Sequence, residues 1–159
     1  MTYGSIGSIS SGTLLPADLI RVFADELKDL AKASKSDAYK DLLAEAEAWV
    51  EADGSMDPGE VPDGDEHDDC GPGLVDELID ALGEFAPPYF YFGAHPGDGA
   101  DYGFWLHDDF QQDFDGLTVD DISEVPDDYE GEVLHVNDHG NCTLYSARNG
   151  ELKEIWAVV

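Results

Sequence analysis

The chain has 159 residues, 42% of them apolar and 11% aromatic, and a formal net charge of −30. That is too much apolar content for a disordered acidic tail, and enough length for one domain with its own core. The charge excludes direct binding to nucleic acid or to an anionic membrane, which would repel the chain, and favours a basic partner or cations.

The charge is unevenly written. Between Lys40 and Arg148 there is no Lys or Arg. Of the 37 acidic residues, seven lie outside that stretch (Asp18, Asp25, Glu26, Asp29, Asp37, Glu151 and Glu154), which leaves 30 within it. No fold requires this, because single-sign fields repel themselves and oppose compaction.

Residues 1–13 are rich in Gly and Ser and suggest a flexible, irregular arm. Pro16 suits the first position of a helix. Ile20, Phe23, Leu27 and Leu30 follow at helical spacing and predict one buried stripe. Ser36 is a candidate N-cap for a second helix, whose apolar face is Tyr39, Leu42, Leu43, Ala46, Trp49 and Val50. Asp41 with Glu45, and Glu47 with Glu51, are like-charge i, i+4 pairs, each costing roughly 0.2–0.5 kcal/mol.

Residues 53–73 read as a mobile acidic loop broken by Pro58, Pro62 and several glycines. A third helix is expected from about Gly73 to Leu82, with Leu74, Val75, Leu78, Ile79 and Leu82 on its apolar face. Asp76, Asp80 and Glu84 form a second stripe, stepping by about 6 Å at 1.5 Å per residue, similar to phosphates along one nucleic-acid strand. Pro87-Pro88 stops the helix. Tyr89–Phe92 predicts a central strand with bulk on both faces, and a Gly-rich turn at 93–99 leads to a second strand at 102–107.

Residues 108–132 form an acidic connector carrying Asp108, Asp109, Asp113, Asp115, Asp120, Asp121, Asp127 and Asp128 among others. Phe110, Phe114, Leu117, Val119 and Ile122 could pin it to the body as an ordered rim. The chain closes as a meander of strands at 133–136, 142–147 and 152–158, with Asn149-Gly150 as a two-residue hairpin turn. Helices first and strands after predict an α+β fold: two or three N-terminal helices packed on a C-terminal antiparallel sheet of about five strands.

Catalytic and metal motifs are weak. The segment starting at Asp63 resembles a calcium loop, but its sixth position is Asp68 where Gly is needed, and its twelfth is Leu74 where Glu is needed. His67 with Cys70, and His139 with Cys142, lack the tight pairing of structural zinc sites. Cys70 and Cys142 read as reduced thiols. His95, His107, His135 and His139 lie among many acids, as any histidine must in so acidic a chain, and no nucleophile or phosphate-loop motif accompanies them. The expectation is an interaction protein, with no cofactor, no metal and no catalytic residue. No charged, apolar leader is visible at Met1, and no run is long enough to span a membrane, which predicts a cytoplasmic protein. The oligomeric state is left open, a homodimer included.

In size, charge and ordered acidic segments among aromatics, the chain resembles small acidic phage-encoded proteins that mimic nucleic acid. The segments Ser8–Leu14 and Val136–Asn141 also resemble phage proteins. The resemblance implies inhibition of a DNA- or RNA-binding host defence complex, of the CRISPR or restriction type, in the bacterial cytoplasm. Its partner would be a basic nucleic-acid-binding protein. Asp76, Asp80, Glu84, Asp108, Asp109, Asp113, Asp115, Asp120, Asp121, Asp127 and Asp128 are the candidate contacts. Two other classes fit the composition: an ordinary domain of a halophile, enzymes included, and a divalent-cation binder.

Overall fold

The computed structural model describes residues 2–54 and 70–159. Its contacts fall into two units, Met1–His107 and Asp108–Val159, where the sequence suggests one domain. The fold is α+β, with four α-helices and two sheets among the described residues.

The first unit opens with a strand, β1 (Gly7–Ser11), where an irregular arm is expected. Period-two patterning is hidden there because the residues are small. Helix α1 (Pro16–Ser34) follows, with Pro16 in its first turn. It ends in a Schellman-type cap: Lys35 is left-handed (φ 56°), and Ser36 N–H donates to Ala31 O at 2.9 Å. Ser36 therefore closes the first helix instead of capping the second. Its hydroxyl accepts from Ala38 N–H, and α2 (Lys40–Gly54) begins after a turn.

Helix α3 (Cys70–Gly83) starts three residues before the expected position, so the expected 53–73 loop is shorter at both ends. The mobility expected for it falls on residues outside those described. Gly71 sits in the first turn of α3 because the ring of Trp49 and the side chain of Pro16 leave little room for a β-carbon.

The predicted stripe of α1 (Ile20, Phe23, Leu27, Leu30) is buried, as are Leu74, Val75, Leu78 and Leu82 of α3. They pack with a three-stranded antiparallel sheet built from β1, β2 (Phe90–His95) and β3 (Asp98–Leu106) in the order β1-β3-β2. Phe23 is the hinge of this core. Its ring meets Phe92 edge-on at 5.1 Å and Tyr102 at 5.4 Å, and Phe92 meets Phe104 at 4.9 Å.

The strand expected to be central, β2, lies at an edge, and β3 is central. Only Phe90 and Phe92 of β2 are buried. The other face of the β2–β3 pair is aromatic with satisfied polar tips: Tyr91 Oη of β2 donates to Ala94 O (3.1 Å), and Trp105 Nε1 of β3 donates to Gly93 O (3.0 Å). Most of the expected turn at 93–99 is strand, and the turn itself narrows to Pro96-Gly97.

The second unit runs through a short helix α4 (Phe110–Asp113), then β4 (Leu117–Val119), a 3-10 turn at Ile122–Glu124, β5 (Gly131–Val136), β6 (Cys142–Arg148) and β7 (Glu151–Val158). The sheet order is β4-β5-β6-β7. The closing meander lies close to its predicted limits. Asn149 and Gly150 both have positive φ (52° and 76°), as a tight hairpin turn requires.

The single sheet of about five antiparallel strands is thus replaced by two sheets in different units. One strand of the second, β4, runs parallel to β5, with Leu117 opposite Val133 and Val119 opposite His135. The segment 120–130 supplies the crossover that parallel pairing needs. Adjacent residues Val133 and Leu134 are both buried, so both faces of this sheet are covered. One face clusters Val119, Val133 and Ala147 with Val125 and Tyr129. The other aligns Leu134, Leu144 and Trp156, with Phe110 beside Trp156 at 6.0 Å.

Gly103 provides a test of the first sheet. A β-carbon there would lie 2.1 Å from Gly7 O and 2.9 Å from Ser8 Cα, both backbone atoms that cannot swing away. Gly103→Ala should lower unfolding free energy by about 1–3 kcal/mol in urea titration. Gly99→Ala, with open space around its β-carbon, should be neutral or mildly stabilising. Equal effects of the two changes would contradict the β1–β3 approach.

Candidate functional site

The candidate carboxylates divide between the units. Asp76 and Asp80 are on α3 and Glu84 just beyond its end, in the first unit; Asp108, Asp109, Asp113, Asp115, Asp120, Asp121, Asp127 and Asp128 are in the second. All of them are exposed. Within each unit they stand on segments fixed by apolar contacts.

For α3 the anchor is its buried face, with Leu78 and Leu82 fully out of solvent. Asp76 and Asp80 lie on the opposite side. The helical stripe is shorter than expected, because α3 ends at Gly83 and Glu84 belongs to a turn. Glu84 is held differently: the hydroxyl of Tyr39 donates to its Oε2. The Tyr39 ring rests against Phe85 at 5.6 Å.

In the second unit the expected anchors Phe110 and Val119 are buried, and Phe114 and Leu117 are half-buried. Ile122 is 38% exposed and does not serve. Val125 and Tyr129, which the sequence did not single out, pack on the cluster around Val133 instead. The signal that could have found them is their spacing: Ile122, Val125 and Tyr129 are lone apolar or aromatic residues every three or four positions in an otherwise polar run. Tyr129 Oη also donates to Glu132 O at 3.2 Å, which folds 129–132 onto itself.

Three candidate carboxylates accept hydrogen bonds from neutral donors. Glu84 accepts from Tyr39 Oη. Asp109 Oδ1 accepts from Gln112 Nε2 at 3.0 Å. Asp121 Oδ1 accepts from Ser123 N–H at 2.8 Å, capping the 3-10 turn. The backbone and hydroxyl of Ser123 hold the Asp121 carboxyl below the usual range, and the charge of His135 adds to this. For the carboxylates of Asp76, Asp80, Asp108, Asp113, Asp115, Asp120, Asp127 and Asp128 the described residues supply no such donor and no ion pair. The ion pairs Lys28–Glu47 (2.9 Å) and Lys40–Asp37 (2.8 Å) involve none of the candidates.

Among the described residues no group of three or more His, Cys, Asp and Glu side chains is placed to hold a metal ion, and no helix is long and apolar enough to cross a membrane. The His67 half of the weighed zinc pair lies outside the described residues. Cys142 is buried, its thiol donates to Gly140 O, and burial pushes its pKa up, so it is a poor thiolate. His95 is committed to its own turn, with Nδ1 accepting from Gly97 N–H at 3.0 Å. Chemically, the surface offers exposed negative charge in fixed positions.

Compared with known proteins, the chain matches no family model, no curated protein and no solved structure.

The Tyr39–Glu84 contact generates a pH test. The Tyr39 phenol is pushed up to about 12, first by its hydrogen bond to Glu84, then by burial and by the Glu84 charge. An unfolded tyrosine titrates near pH 10. The folded value is raised, so the stabilisation is fully present below about pH 10 and is lost as pH rises towards 12. Spectrophotometric titration should show one phenol ionising near the top of that range. Tyr39→Phe should remove it and flatten the alkaline decline in stability. A high-pH titration unchanged by the substitution would refute the contact.

Proposed function

We propose that this protein is an inhibitor that mimics nucleic acid, presenting its carboxylates to the Lys- and Arg-lined channel of a DNA- or RNA-binding protein. A bacterial defence complex of the CRISPR or restriction type is the partner class that fits, which places the inhibitor in the host cytoplasm. The observation that carries the reading is the segregation of charge. Residues 1–40 hold five acids and five bases, and residues 148–159 hold two of each, so the whole net charge of −30 belongs to the base-free stretch.

Order of the carboxylates supports the reading. A mimic must hold charge in place, and the candidate acids stand on segments with buried anchors in both units. Binding would draw on many weak charge contacts, with fast steered association and steep salt dependence. No covalent chemistry is required, and the described histidines are placed as backbone partners or surface groups.

Competition tests this. The purified protein should displace DNA from its partner at low salt, and its apparent affinity should fall at least roughly tenfold between about 50 and 200 mM salt. Asp76→Asn with Asp80→Asn, and separately Asp108→Asn with Asp113→Asn, neutralise exposed acids in one unit at a time. Each pair should leave stability within about 0.5 kcal/mol or raise it, and the pair lying on the contact surface should weaken displacement. Partner-bound DNA left in place at all salt concentrations would sink the proposal. A protein that unfolds in dilute buffer and needs molar salt to fold would point to halophilic adaptation instead.

A further inference from the structure

Four strands lie at the edges of the two sheets: β1, β2, β4 and β7. Three of them are blunt. β1 is bulged between Ser8 and Ser10, β2 shifts register between Ala94 and His95, and β4 has only three residues. β7 is eight residues long and contains neither Gly nor Pro. Its own irregularity falls at Ile155, which leaves Glu151–Glu154 regular.

The backbone of that run is set for a further strand. Glu151 faces Arg148 across the two-residue turn, and the closing pair of such a turn points its N–H and C=O groups inward, at each other. Alternation then puts the N–H and C=O of Leu152 on the outer side. β7 has β6 on one side and no strand on the other among the described residues.

Charge selects the occupant. A charged edge is ordinarily a device against pairing, but here the signs alternate, and a second copy matches them. Arg148 and Lys153 are the second unit's whole complement of Lys and Arg, and both lie on this hairpin. The rest of the unit offers a second copy acids without bases. Two-fold antiparallel pairing centred on Leu152 sets Glu151 opposite Lys153 of the second copy, and Lys153 opposite its Glu151. Both side chains are exposed. On the other face Leu152 meets its own counterpart, at the margin of the cluster around Val119, Val133 and Ala147 that it already packs against. Glu154 falls opposite Gly150. Centring the pair on Lys153 or Glu154 instead would set like charges opposite each other.

We propose that β7 is a homodimerisation edge, which pairs with β7 of a second copy and joins two four-stranded sheets edge to edge. The dimer is independent of the mimicry reading. Two chains of net charge −30 repel at long range, so the dimer strengthens as salt screens them, whereas capture of a basic partner weakens.

Sedimentation equilibrium and amide hydrogen exchange on the full chain test it. At about 0.5 M salt the average mass should climb from one chain towards two between about 1 and about 500 µM, the weak range suited to so small a seam. The Leu152 amide should gain protection in step. Lys153→Glu and Glu151→Lys each set like charges across the seam, and each should stay monomeric. Mixed in equal amounts these two variants should dimerise, because every charge at the seam then meets its opposite. Chains that had merely failed to fold would not recover on mixing. The double exchange, Glu151→Lys with Lys153→Glu, should dimerise like the parent. A parent chain that is monomeric throughout, a dimer that either single variant leaves intact, or a mixture that stays monomeric overturns the pairing. DNA displacement is scored separately at low salt, so failure of mimicry leaves the mass measurement to decide the dimer.

Discussion

The constraint on which the structure depends is repulsion among carboxylates that have no cations to meet. Two unit charges 6 Å apart in water repel by roughly 0.7 kcal/mol before salt screening. Individually this is small. Summed over 30 acids it opposes every compact state, so apolar contact has to hold each unit together. Accordingly the largest fully buried side chains include Phe23, Phe104, Ile20 and Leu27 in the first unit and Leu134, Leu144 and Val133 in the second. Two cations are used against acids: Lys40 pairs with Asp37, and Lys28 reaches from α1 to Glu47 on α2, a helix that itself carries no base after Lys40.

Neutral donors take over elsewhere. Asp18 accepts from Thr13 Oγ1, Asp98 from Ala100 N–H, Asp101 from Ser8 Oγ, Asp109 from Gln112, Asp121 from Ser123 N–H and Glu84 from Tyr39. These bonds orient a carboxylate and leave its charge intact. In a chain of mixed sign, arginine or lysine would do the same job and cancel the charge. Burial, by contrast, is spared to acids almost everywhere; Glu26 is an exception, its pKa raised by partial burial and then by Asp29.

The first three helices and the closing meander were legible because their patterns are long, whereas the four-residue α4 was read as part of the acidic connector. Ile20, Phe23, Leu27 and Leu30 repeat over three turns, and Asn149-Gly150 dictates positive φ at both turn residues. What was not legible was short or relational. β1 is Gly7-Ser8-Ile9-Ser10-Ser11, with too little bulk to alternate, and its pairing depends on Gly103 admitting the Gly7 carbonyl. β4 has three residues, and no local signal distinguishes a parallel from an antiparallel partner over so short a run. The misplaced centre of the first sheet has the same origin. Tyr89-Phe90-Tyr91-Phe92 reads as apolar on both faces, but tyrosine can face outward if its hydroxyl finds a partner, and Tyr91 does. The candidate acids were legible as a set from the missing bases, whereas the division between units was not, because charge counts carry no information on which core a residue belongs to.

Taken together, the neutral-donor bonds and the anchored segments answer a conflict that a strongly acidic fold faces. Order usually comes from pairing charges, and pairing consumes them. A surface that is to attract a basic partner, as proposed for this one, needs order with the charge unspent. Asp121 illustrates the compromise: capping by Ser123 favours its ionised form, so the bond that fixes the carboxylate also keeps it negative at lower pH. Within each unit the described parts of the base-free stretch stand on apolar anchors, and the acids that are held accept from N–H and O–H groups, so their charge is kept on fixed segments. A random acidic chain would have the charge without the order, and an ordinary salt-bridged domain the order without the charge.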